Sequence, residues 1–136
     1  MTEYQQQALD FLEKCNAKMT ITYDCLRVNP LWNDNELRGL YRITLTTPKG
    51  RTSFNFWNSV YNTERHIAPK EYDILACLEK YDVGTFNDFV NEFGYEVDEY
   101  KDKVRANKIY KAVVKEYENL CRIFTEEQME MLREIQ

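Results

Sequence analysis

Between Thr2 and Ala17, Ala8, Phe11, Leu12 and Cys15 return at helical spacing and form one apolar stripe. Thr2 and Gln5 supply a capping box, so the pattern predicts an amino-terminal helix over 2–17. The period then drops to two. Met19, Ile21, Tyr23 and Cys25 alternate with Thr20, Thr22 and Asp24, as a half-buried strand requires. Asn29-Pro30 and Asn33-Asp34-Asn35 end that strand in a loop. A second strand is expected over 40–47, with Tyr41, Ile43 and Leu45 on one face. Pro48-Lys49-Gly50 makes a tight turn, and a third strand follows over 52–60 with Phe54 and Phe56 inward.

From Ala68 the pattern is helical. Pro69 suits a first helical position, where a missing N–H costs nothing, and the helix runs toward Tyr81. Gly84 stops it. Thr85 begins a short helix with Phe86, Phe89, Val90 and Phe93 on its buried side, and Gly94 ends that one. Asp98 is a candidate cap for a long helix over 99–123, whose apolar side carries Val104, Ile109, Ala112, Val113, Tyr117, Leu120 and Phe124. Thr125 and Gln128 form a second capping box, ahead of a last stripe of Met129, Leu132 and Ile135. The order predicts a single α+β domain spanning 1–136. A three-stranded antiparallel meander and the amino-terminal helix occupy 1–67, and about four helices from 68–136 pack on the sheet.

Composition narrows the function classes. With 136 residues, 43% apolar and 14% aromatic, the chain buries a core without disulfides or metal and is not a disordered segment. No apolar run is long enough to span a membrane, and the start lacks the basic-then-apolar form of a secretory signal. The net charge of −5 is local. Residues 1–81 balance, and 103–136 carry one excess base. Residues 82–102 hold Asp82, Asp88, Glu92, Glu96, Asp98, Glu99 and Asp102 against Lys101 alone. Such a stretch repels phosphates and attracts a basic protein groove. Direct nucleic-acid binding is therefore not expected, since Arg42, Lys49 and Arg51 are the only bases near the strand aromatics.

Each acid also has a plainer use. Asp88 stands at the capping position after Thr85, and Asp98, Glu99 and Asp102 fall where acids complement a helix dipole. The last three could also supply oxygen ligands to magnesium or calcium, but EF-hand spacing is missing and no metal is expected. Cys15, Cys25, Cys77 and Cys121 lack the close pairing of a zinc site and sit in or beside apolar stripes, as buried reduced thiols do. No phosphate-cradling or nucleophile-elbow motif occurs, and no cofactor is implied. A Cys–His hydrolase would need His66, in the polar loop 62–66, beside Cys77 or another thiol. Trp32, in the 29–35 loop, either plugs a core edge or anchors an interface. Trp57 faces opposite Phe54 and Phe56, so it is open to a partner unless the amino-terminal helix covers it.

The segments YDILACLEKYDVGTFNDFVNEFGY (72–95) and KIYKAVVKEYENLCRIFTEEQMEMLREIQ (108–136), with Phe54-Asn55-Phe56-Trp57, carry a resemblance. They resemble small uncharacterised proteins of bacteriophages and integrated mobile elements. The run KYD-x-GTF-x-DF-x-x-EFGY fixes two helix stops, a cap and three aromatics. The resemblance implies action in a bacterial cytoplasm, where small accessory proteins bind and inhibit host defence components, CRISPR effectors included. It supplies no catalytic residues. The expected function is a non-enzymatic inhibitor. Its acidic surface, with Trp32 or Trp57 as apolar anchor, competes for the nucleic-acid groove of a host protein such as a CRISPR effector or other defence nuclease. The alternative is a self-associating accessory protein, a homodimer without inhibitory role.

Overall fold

A computed structural model describes residues 1–29, 35–58, 68–78 and 83–135. Helix α1 (Glu3–Lys14) precedes strands β1 (Lys18–Val28), β2 (Leu37–Thr47) and β3 (Gly50–Trp57). Helices α2 (Glu71–Leu78), α3 (Phe86–Phe93), α4 (Tyr100–Ile123) and α5 (Glu126–Glu134) follow. The strands form one antiparallel sheet in the order β1-β2-β3, the meander expected of an α+β chain. None of the described helices is long and apolar enough to cross a membrane.

Alternation decides the two faces of the sheet. Tyr41, Ile43 and Leu45 of β2 and Phe54 of β3 are buried in one cluster with Ala8, Phe11, Leu12, Ile74, Leu75, Leu78, Leu120, Ile123, Phe124 and Leu132. Helices α1, α2 and α5 and the end of α4 therefore cover the same face. The opposite face carries Lys18, Thr20, Thr22, Arg42, Thr46, Arg51 and Asn55, all exposed. Its cross-strand rows are Lys18–Thr46–Arg51, Thr20–Thr44–Ser53 and Thr22–Arg42–Asn55. The Thr44 and Ser53 hydroxyls hydrogen-bond at 3.1 Å, and Arg42 Nη1 donates to Asn55 Oδ1 at 3.2 Å. At the hairpin end, the buried Thr47 hydroxyl donates to the Ile123 carbonyl and ties the sheet to the carboxy terminus of α4.

The long helix serves two clusters. Its stripe Ala106, Ile109, Tyr110, Val113, Tyr117, Leu120, Ile123 runs at helical spacing along one side. The last three belong to the sheet-side core. The first four pack with Val83, Phe89, Val90, Tyr95 and Val97 in a satellite cluster that contains no residue of the sheet. Over about 36 Å of helix, α4 thus joins the sheet to α3.

Several expected boundaries move, each for a local reason. Helix α1 stops at Lys14 instead of continuing to Ala17 because Asn16 takes a left-handed conformation, φ 50°. The Ala17 N–H then bonds to the Leu12 carbonyl and the Asn16 N–H to Glu13, a Schellman closure built on asparagine. Pro69 lies before the first helical residue, Glu71. There the Lys70 N–H bonds to the Asp73 carboxylate instead. Glu99 replaces Asp98 as the cap of α4 and makes no side-chain cap bond. Ala112 is exposed, and Ala106 takes the buried place. Phe93 is 43% exposed because α3 ends there, at left-handed Gly94. Cys121 is exposed, whereas Cys15 is buried and Cys25 and Cys77 are partly so.

Candidate functional site

The acidic stretch is held in place by the satellite cluster. Thr85 Oγ1 accepts from the Asp88 N–H at 3.2 Å, and Asp88 Oδ2 accepts from the Thr85 N–H at 3.1 Å, so both unpaired donors at the start of α3 are satisfied. The Thr85 hydroxyl also donates to the same carboxylate oxygen at 2.8 Å. These bonds hold the Asp88 carboxyl below its ordinary value of 3.8. Inside, the Phe89 ring lies 5.1 Å from Tyr95, 5.2 Å from Phe93 and 5.5 Å from Tyr110. The Tyr110 hydroxyl donates to the Gly84 carbonyl at 2.7 Å and anchors the entry to α3 on α4.

After Gly94 the chain alternates. Tyr95 and Val97 pack into the satellite cluster, while Glu96 and Asp98 are exposed. Glu92 is exposed on α3, one helical turn beyond Asp88. Glu99 is exposed and lies 3.8 Å from the Lys101 ammonium, with both side chains largely in water, so the contact is screened. Asp102 is half-buried in the first turn of α4.

The predicted acids therefore divide. Asp88 is committed to its cap, and Asp102 complements the helix dipole. Glu92, Glu96, Asp98 and Glu99 project from one short segment of chain. No three of the acids, cysteines or histidines among the described residues converge as a metal shell would. Asp82, Trp32 and His66 lie outside the described residues, so a His66–Cys77 pairing has no geometry here.

Trp57 is not displayed as an open anchor. It is half-buried, and its cross-strand neighbour Leu40 is 4% exposed, so that end of the outer sheet face is covered. Helix α1 packs in the cluster on the other face and is not the cover. The exposed aromatics lie instead within the acidic stretch: Phe93, and Tyr100 at 84% exposure. Tyr100 borders a surface groove of about 350 Å³ lined also by Phe86, Lys103, Val104 and Asn107. Sequence pattern missed both rings. Phe93 stands four residues after Phe89, where only the end of the helix takes it out of the core. The signal for Tyr100 was its setting, Glu99 before it and Lys101-Asp102 after it.

Residues 92–100 thus carry exposed carboxylates and two exposed rings, one of them on an apolar groove, and this segment, the acidic shoulder, has charge for attraction and rings for anchorage. No family model, no curated protein and no solved structure matches the chain.

Proposed function

We propose that the protein binds another protein through this shoulder. Glu92, Glu96, Asp98 and Glu99 face a basic groove, and Tyr100 with Phe93 supplies the apolar anchor. The observation that supports it most is the alternation over 95–98. It turns Glu96 and Asp98 outward from a packed aromatic cluster, in the segment that carries the exposed rings. Carboxylates held outward by the packing of their neighbours compete for a groove that otherwise holds nucleic acid, with less ordering cost than carboxylates on a free chain. The resemblance to phage and mobile-element proteins gives the setting. The partner is then a host defence nuclease in a bacterial cytoplasm, CRISPR effectors included, and the protein does no chemistry on it.

The test is capture of partners from bacterial lysate at low and high salt, with three baits. The wild type is compared with Glu92→Lys/Glu96→Lys/Asp98→Lys and with Tyr100→Ala, whose altered side chains are exposed. A partner held at low salt, released at high salt and lost with the triple reversal supports the reading. A partner retained by the reversed protein at every salt concentration refutes it.

A further inference from the structure

The solvent side of α4 carries a charge pattern that the total over 103–136 conceals. Residues 103–115 hold Lys103, Arg105, Lys108, Lys111 and Lys115 and no acid, and the acids of that range begin only at Glu116. At about 100° per residue, Arg105, Lys108, Lys111 and Lys115 fall on one side of the helix, over about 15 Å of its length. Lys108, Lys111 and Lys115 are exposed, as is Ala112 among them, and Arg105 is half-buried. The side chains of these four bases make no hydrogen bond or ion pair with another described residue. Ala106, Ile109, Tyr110 and Val113, which pack in the satellite cluster with α3, are centred roughly 150° round the helix from this basic ridge. Ridge and acidic shoulder therefore lie on different sides of α4. Within the chain, no ion pair joins Glu92, Glu96 or Asp98 to the ridge.

We propose that the ridge is the docking site for the acidic shoulder of a second copy, so that chains associate head to tail. Charge complementarity selects this occupant. Residues 92–98 carry Glu92, Glu96 and Asp98, all exposed, and no base, whereas the ridge carries four bases and no acid. A nucleic-acid duplex fits less well. It extends past the ridge to the exposed Glu118 on one side and toward the shoulder on the other, and both repel phosphates. A short acidic segment needs only the ridge. Because the two surfaces lie on different sides of α4, the contact is heterologous. Each pairing leaves a free shoulder on one copy and a free ridge on the other, so growth does not stop at two chains. Both surfaces are in water, which makes the contact weak and sensitive to salt. A shoulder docked in this way is closed to any other partner.

Sedimentation equilibrium at low and high salt tests the proposal with neutral substitutions at exposed positions. At low salt the wild type should rise from 16.4 kDa past twice that mass with concentration, and high salt should return it to the monomer. Glu92→Gln/Glu96→Gln/Asp98→Asn removes the shoulder charge, and Lys108→Gln/Lys111→Gln/Lys115→Gln removes most of the ridge charge. Each variant alone should self-associate about tenfold more weakly than the wild type. Mixed in equal amounts, the two retain one intact shoulder and one intact ridge, so they should pair at wild-type strength and stop at two chains. The ridge variant should still capture whatever host protein the shoulder binds, so this proposal and the host-protein reading fail separately. A wild type that stays monomeric at the highest concentrations overturns the proposal, as does association indifferent to salt. So does a mixture that fails to pair, or a wild type that stops at two chains, which would mean a reciprocal contact. A monomeric wild type that instead binds duplex DNA through the three lysines also overturns it, and makes the ridge a phosphate site.

Discussion

Replacing Phe89 with alanine removes the ring on which the acidic shoulder rests. The side chain is 3% exposed, and its ring contacts three other aromatic rings at 5.1–5.5 Å. Lost transfer energy plus the cavity left behind amount to about 3–5 kcal/mol for a buried Phe→Ala change. A chain of this length has about 7–20 kcal/mol of total stability, so the variant stays folded. At ~3–5 °C per kcal/mol, its thermal midpoint falls by roughly 10 °C or more. Because the satellite cluster contains no sheet residue, the damage is also local. Amides of α3 should lose protection against hydrogen exchange well before those of α1 or β2. Scanning calorimetry and exchange mass spectrometry read the two effects. An unchanged midpoint together with unchanged exchange in α3 would refute the packing of α3 on α4.

Three further outcomes follow from single contacts. Thr47→Val removes the buried hydroxyl bond to the Ile123 carbonyl and leaves that carbonyl unsatisfied. Urea unfolding should show a loss of about 1–3 kcal/mol. Asn16→Ala keeps the β-carbon but loses the short polar side chain that lets asparagine take the left-handed conformation closing α1, at a cost of about 1 kcal/mol by the same assay, whereas Asn16→Gly is tolerated. Asp88 gives α3 a pH dependence of known sign. Its carboxyl is held low by Thr85, so its contribution is present above pH 3.8 and is lost as pH falls through the lower folded value. Asp88→Asn should flatten that acid limb in a pH series of thermal midpoints.

The elements with strong periodicity were legible in the sequence because one physical cause dominates each. Period-two alternation set the buried face of β2, the capping boxes at Thr2 and Thr125 began α1 and α5 as expected, and Thr85 with Asp88 began α3. What escaped depends on relations between elements. Asn16 ends α1 through a Schellman closure that a search for glycine passes over. Phe93 and Ala112 satisfy their stripes, yet the helices they sit on run out or turn away from a partner. Charge counting found the acidic segment. It could not divide Asp88, spent on a cap, from Glu96 and Asp98, turned outward by the packing of Tyr95 and Val97. Strand register places Lys18 and Arg51 in one cross-strand row on either side of Thr46, an arrangement hidden by their separation along the chain.

The most direct test of the acidic shoulder is displacement of bound DNA from a panel of purified bacterial defence nucleases, CRISPR effectors among them. The wild type and the Glu92→Lys/Glu96→Lys/Asp98→Lys variant are compared across a salt series. The wild type should release DNA from at least one nuclease, less effectively as salt rises, and the variant should release none. Equal displacement by the two proteins, or displacement insensitive to salt, would contradict it.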